Sequence, residues 1–389
     1  MIYESVKVIS RTEVNHLKTG QCLAMQFLGG GGIALGFINQ SEVVEHARHT
    51  AFGAYFSEKR LRLLVETDCL GYIGRGQSIR RGRDTASRYR SPAAAQAASH
   101  QAKTPGAPSY TYTLLNYPGT LSTVAEGINL GATTSKTEIA GGYGPIPQPE
   151  AGFLAQVSGT KTVKETYKAV NYPHVPSQQV ANAINDAGEI VGDYVDSSGV
   201  FHGYERSGER FTTLNVPFAG AAGTFPFGIS NSGEIVGGWL DSNDVGHGFT
   251  LIGGTYTSLD YPGGSLFTDA FGINSAGDIV GAYTDASGVT HGFLLSGGTY
   301  TSFDPPGSLY TYGSGINDAG DIVGLQCLTS ECVSANDGTQ GFLLSQGVYT
   351  TITIPGETFT FAIGIQNNGV VLGEYQDAAG LLVSFLATP

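Results

Sequence analysis

The stretch Tyr256-Thr-Ser-Leu-Asp-Tyr-Pro262, followed by Ala270-Phe-Gly-Ile-Asn274, Gly277-Asp-Ile-Val-Gly-Ala-Tyr283 and His291-Gly-Phe-Leu-Leu295, decides the fold. It is the clearest of six copies. The isoleucine of its Gly-Ile-Asn step recurs at Ile128, Ile184, Ile229, Ile273, Ile316 and Ile365, at spacings of 56, 45, 44, 43 and 49. Such a period marks units that bury their apolar faces only against neighbours. Four strands of about 5–6 residues plus their turns fill about 44 residues, the length of one propeller blade. Asn274-Ser-Ala-Gly277 and Asp285-Ala-Ser-Gly288 suit tight hairpins with glycine in the left-handed region. Ile279-Val280 and Phe293-Leu294-Leu295 are apolar on successive residues, so these strands expect cover on both faces.

The phase of the repeat follows from its one long connection, Gly263 to Ala270. A long link suits the passage from the outermost strand of one blade to the innermost of the next. The Gly-Ile-Asn strand is then innermost, and the residue before the isoleucine is small (Gly127, Ala183, Gly228, Gly272, Gly315, Gly364) because six strands crowd the axis. The chain would start on a lone outer strand, 112–117, and finish one strand short. The expected fold is all-β: a six-bladed β-propeller of four-stranded blades over 110–389, closed by pairing of 112–117 with 382–386, which removes an exposed edge.

Composition agrees with this reading. The 389 residues include 57 Gly, 20 Tyr and 19 Phe, with 14% charged and 41% hydrophobic. That is too apolar for disorder, the glycines have no three-residue period, and no run of 18 apolar residues is present to cross a bilayer. The net charge of −13 is divided unevenly. Residues 1–105 are net basic, whereas no Lys or Arg follows Arg210. The repeat region lacks the clustered cations that phosphates require, so it is not expected to bind nucleic acid. Arg75, Arg80, Arg81, Arg83, Arg88 and Arg90 lead into Ser91-Pro92 and an Ala/Gln-rich run, so 80–109 is read as a basic, Ala/Pro-rich linker. Residues 1–79 carry no repeat and are expected to be partly helical or disordered, with helix over Gln40–Thr67 capped by Ser41. Met1 opens no conventional signal peptide. Ala93-Ala-Ala-Gln-Ala97 resembles the end of one, so a start assigned too early or an upstream frameshift is an expectation here.

Candidate site residues cluster just before the inner isoleucines. Five positions ahead lie Thr123, Gln179, Thr224, Thr268, Thr311 and Thr360; one position nearer lie Phe225, Asp269, Tyr312 and Phe361. At the channel mouth, hydroxyls, aromatic faces and a carboxylate would suit carbohydrate or a polar segment of protein. The competing reading is that each Thr only satisfies its own loop. Asp269 is the one weak candidate for acid/base chemistry, which makes a hydrolase or lyase the second function class and a purely structural repeat the third. His202, His247 and His291 are equivalent positions of different blades, too far apart for one metal, and neither metal nor cofactor is expected. Asn215, Asp260 and Asp304 end outer strands, where capping a turn explains them. Cys327 and Cys332 bracket an insertion and would staple it in an oxidising compartment. Oligomeric state is not legible.

His202-Gly-Tyr204, His247-Gly-Phe249 and His291-Gly-Phe293, each after Gly-x-Ile-Val-Gly, resemble the HAF repeat of bacterial extracellular proteins. The match covers about 112–386, with Gln340 replacing the histidine in the fifth copy and only Phe385 kept in the sixth. The resemblance implies an exported bacterial protein and no particular activity. The function expected from the sequence is an extracellular binding or scaffold propeller.

Overall fold

In the computed structural model the chain divides into two compact units, Met1–Ser91 and Pro92–Pro389. The structure describes residues 21–28, 32–39 and 110–389, the last apart from 121, 132–135, 145–150, 159–163, 176–177, 244, 265–266, 330–337, 358 and 378–380.

In the first unit, β1 (Gln21–Leu28) and β2 (Gly32–Asn39) pair antiparallel from Gln21↔Asn39 to Leu28↔Gly32. Both strands are built from the apolar run that spans Cys22–Phe37. The helix expected over 40–67 and the linker 80–109 lie outside the described residues.

The second unit is all-β, and no helix among the described residues is long and apolar enough to cross a membrane. A lone strand β3 (Thr111–Leu115) comes first. Blade 1 is β4 (Ser122–Ile128), β5 (Thr137–Gly144), β6 (Ala151–Ser158) and β7 (Lys164–Val170). Blade 2 is β8 (Gln179–Ile184), β9 (Ile190–Val195), β10 (Phe201–Ser207) and β11 (Arg210–Leu214). Blade 3 is β12 (Gly223–Ile229), β13 (Ile235–Leu240), β14 (Gly246–Ile252) and β15 (Thr255–Leu259). Blade 4 is β16 (Phe267–Ile273), β17 (Ile279–Thr284), β18 (Thr290–Ser296) and β19 (Thr299–Phe303). Blade 5 is β20 (Tyr310–Ile316), β21 (Ile322–Cys327), β22 (Thr339–Ser345) and β23 (Val348–Ile352). Blade 6 is β24 (Thr360–Ile365), β25 (Val371–Gln376) and β26 (Leu382–Thr388). Its fourth strand is β3, paired antiparallel from Thr111↔Thr388 to Leu115↔Ser384. The closing ladder therefore stops at Leu115. Asn116 and Tyr117 leave it because the Tyr117 N–H turns to the Thr123 hydroxyl instead (2.8 Å).

Innermost strands β4, β8, β12, β16, β20 and β24 touch in that order, and β24 meets β4 again. Third strands also meet the next blade's first strand at single parallel pairs, Phe201↔Gly223, Gly246↔Phe267 and Val383↔Thr123. The six sheets thus form a closed ring around one axis. Every innermost strand carries a bulge before the small residue, as at Ala270/Gly272. The bulge re-aims the strand so that neighbouring backbones nearly touch. A Cβ on Gly315 would fall 2.8 Å from the Gly364 Cα and 2.9 Å from the Ile363 carbonyl oxygen.

Each blade centres on one aromatic side chain of its third strand: Phe153, Tyr204, Phe249, Phe293, Phe342 or Phe385, all at most 1% exposed. Opposite it the second strand must be glycine. A Cβ on Gly281 would lie 2.6 Å from the Phe293 ring and 2.0 Å from the Asp269 carbonyl oxygen. Burial of each ring stabilises by about 2–3 kcal/mol.

On the far face, the residue after each inner isoleucine links the blades. Asn274 Oδ1 accepts the N–H groups of Ala276 (3.0 Å) and Asp278 (2.9 Å), shaping its own turn. Its Nδ2 donates to the Asn317 carbonyl of the next blade (3.2 Å). Asn185 reaches Ser230, Asn317 reaches Gln366 and Gln366 reaches Asn129 in the same way. One side chain therefore shapes a turn and joins two blades.

Candidate functional site

The opposite face carries the turns between second and third strands and the links between blades. There each sheet ends in a row of four side chains set by strand register. In blade 4 the row is Thr268, Tyr283, His291 and Asp304; Thr268 pairs with Tyr283, and Tyr283 with His291. His291 Nδ1 lies 2.8 Å from Asp304 Oδ2. Blade 3 repeats this with Thr224, Trp239, His247 and Asp260 (Nδ1 to Oδ1, 2.7 Å). Blade 2 repeats it with Gln179, Tyr194, His202 and Asn215 (2.9 Å).

An acid of the adjoining turn also approaches two of the histidines. Asp196 Oδ2 lies 3.0 Å from His202 Nε2, and Asp285 Oδ2 lies 3.5 Å from His291 Nε2. These turn acids are already committed to their own loops. Asp285 is drawn down to about 2, first by the Ser287 hydroxyl and next by the Val289 N–H. Asp196 and Asp241 are lowered chiefly by the N–H groups of Val200 and Val245.

Aromatic rings line the same row. Tyr261, from the link entering blade 4, stacks on Tyr283 at 3.6 Å, and Tyr283 stacks on His291 at 5.2 Å. Tyr172–Tyr194–His202 and Phe218–Trp239–His247 are the equivalents. The histidines keep 22–24% of their side chains exposed and Asp260 keeps 58%. The row thus offers carboxylate or amide acceptors and an imidazole to solvent, backed by a buried ring, a combination suited to hydroxyl-rich ligands. Blades 1, 5 and 6 have Ala151, Gln340 and Val383 at the histidine position.

The residues singled out at the channel mouth begin these rows or adjoin them, but most are withdrawn from solvent. Thr123, Gln179, Thr224, Thr268, Thr311 and Thr360 are all buried, so they form no open circle of hydroxyls. Their oxygens accept main-chain N–H groups of the incoming link: Tyr117 to Thr123, Tyr172 to Gln179, Val216 to Thr224, Tyr261 to Thr268 and Ile354 to Thr360. The exception has a chemical reason. In blade 5 the matching link residue is Pro305, which has no N–H, and Thr311 donates to Ser308 Oγ instead (3.1 Å). Phe225 packs on Phe201 and neighbours Phe227, while Tyr312 neighbours Phe271. Phe361 is half-buried against the core between blades 6 and 1. These aromatics pack against neighbouring apolar side chains. Asp269 is only 5% exposed and lies against Gly238 of blade 3; burial raises its pKa well above the usual carboxylate range.

Sequence reasoning weighed the histidines only as metal ligands and Asn215, Asp260 and Asp304 only as caps. The signal that joins them is a constant separation of 13 residues, from 202 to 215, 247 to 260 and 291 to 304. Among the described residues no group of three or more His, Cys, Asp or Glu converges as a metal site. Cys327 is disulfide-bonded, and Cys332 lies outside the described residues.

No protein-family model matches this chain, and no curated protein matches it. Solved structures do align with it. The AofleA protein of Arthrobotrys oligospora is 10% identical over 75% of this chain and 89% of its own, with a TM-score of 0.43. The Aleuria aurantia lectin, described as a six-bladed β-propeller with a novel fucose recognition mode, is 11% identical over 68% of this chain and 91% of its own, at 0.42. TolB from Acinetobacter baumannii is 13% identical over 64% of this chain and 63% of its own, at 0.44.

Proposed function

We propose that this chain is an exported binding propeller that recognises carbohydrate on the face carrying the histidine rows. One observation carries the reading: the same row of buried ring, partly exposed imidazole and exposed carboxylate or amide recurs on three consecutive blades. The rows act as equivalent subsites, so a ligand with repeated sugar units gains avidity from their spacing. Sugar hydroxyls donate to Asp260 and Asp304, and apolar sugar faces meet the partly exposed link rings Tyr172, Phe218 and Tyr261. The burial of Asp269 places the hydrolase or lyase reading second. The disulfide at Cys327 and the HAF-like repeats support export.

The test is a glycan array probed with the full chain, followed by calorimetry on the glycans retained. Replacing His202, His247 and His291 together by Ala, with Asp260→Asn and Asp304→Asn, is expected to abolish binding while the melting transition persists. An empty array, or binding that survives these substitutions, overturns the reading.

A further inference from the structure

The ring has one seam without a covalent link, where β26 meets β4 and only β3 closes the blade. Buried at this seam is a network of one acid, one hydroxyl and two main-chain groups. Glu374 of β25 is fully buried in blade 6. Its Oε1 lies 3.2 Å from the Ala125 nitrogen of blade 1 and 2.9 Å from Ser384 Oγ. Ser384 Oγ in turn lies 3.0 Å from both the Ala125 nitrogen and the Thr123 carbonyl oxygen. Proton counting decides the state of this network. Ser384 has one hydroxyl proton, and an ionised Glu374 and the Thr123 carbonyl would compete for it. A protonated Glu374 donates to Ser384 Oγ, Ser384 donates to Thr123, and the Ala125 N–H has its acceptor. Every group is then satisfied.

We propose that the junction of blades 6 and 1 is a proton-held latch: it is closed while Glu374 carries a proton and becomes the first part of the ring to open as pH rises. The groups facing Glu374 are few. Glu126 of β4 is the only titratable side chain on the strands packed against β25, since β24 and β26 contribute none. On β25 itself, Tyr375 points to the opposite face by strand alternation. Burial first, and the charge of Glu126 second, move the Glu374 pKa up to about 8. The second-strand positions matching Glu374 are Gly142, Asp193, Gly238, Ala282 and Leu325, and Asp193 accepts from Asn182 of its own blade. The other acid raised by burial at a blade junction, Asp269, sits on a first strand against Gly238 and has no peptide-free seam beside it.

The test is hydrogen exchange of the full chain at pH 6 and pH 9, with labelling times scaled for intrinsic exchange. Opening that frees Glu374 to ionise should cost β3, β26 and β4 about 10- to 100-fold in protection between the two pH values, relative to β21 and β22, which carry no acid. Glu374→Gln keeps a donor and an acceptor in place without a titrating proton, and should hold the seam at pH 9. Glu126→Gln serves if that variant folds poorly; removing the neighbouring charge should move the opening midpoint to lower pH. Equal protection changes at all blade junctions would overturn the latch. So would a seam whose pH response is unaltered in Glu374→Gln, or in Glu126→Gln where that variant serves.

Discussion

The junction between blades 3 and 4 and the junction between blades 6 and 1 join the same strands with different material. At the first, the chain itself crosses from β15 to β16, Gly228 lies against the Phe271 carbonyl, and Phe227 and Phe271 sit 5.4 Å apart. At the second, the chain also crosses, from β3 to β4, but no peptide joins β26 to β3; strand pairing and the Glu374–Ser384–Ala125 network alone hold β26 to the strands that follow it around the ring. A covalent link limits how far an apolar contact can separate. Where the link is missing, directional bonds fix the register, and their cost is an acid kept protonated in the interior.

The strongest way to break the comparison is to remove residues 1–115. This strips Tyr112, Leu115 and a five-residue ladder from β26. The loss should be about 5 kcal/mol, visible in urea melts as a lower midpoint. Next come the matched cavities Phe293→Ala and Phe385→Ala, both rings being fully buried. Each should cost about 3–5 kcal/mol. Phe385 should lie at the upper end, because its edge contact with Tyr112 at 5.5 Å ties β3 to the blade. Equal midpoints would mean that the borrowed strand packs no differently from a linked one.

pH sharpens the comparison further. The folded chain holds the Glu374 proton up to about pH 8, whereas the unfolded chain releases it near the ordinary glutamate value of 4.5. The native state therefore binds more protons between these values, so stability is full below 4.5 and falls as pH rises through 8. The fall should amount to about 5 kcal/mol in urea melts and should shrink in Glu374→Gln. The raised pKa of Asp269 acts in the same direction and accounts for the slope that remains. On the far face, Asn274→Ala removes three turn bonds and one bond to blade 5, and should cost about 2 kcal/mol in thermal melts. The smallest effect belongs to the half-exposed rows. His247→Ala should change stability by less than about 1 kcal/mol while weakening glycan binding, measured by calorimetry.

The repeat, its phase and the small residue before each inner isoleucine were legible because they express local chemistry: turn residues at fixed offsets and apolar runs between them. The closing strand was legible to within a few residues, since a lone outer strand at one end and a missing one at the other complement each other. The ligand residues were not legible. Thr268 reads as a surface hydroxyl until its oxygen is seen serving the Tyr261 N–H (3.2 Å). Tyr312 reads as a platform until Phe271 is seen beside it. The bulges also escaped notice, because a period counted along the chain does not reveal how many residues face a partner strand.

By itself the sequence determined how many modules there are, where each turns and which side chain fills each blade, because these follow from periodicity and hairpin chemistry within about 44 residues. Only the tertiary structure decided what Glu374 is. Its partner, the Ala125 N–H, stands 249 residues away along the chain. The protonation of an acid depends on which water and charges closure removes, and that is a property of the ring rather than of any repeat.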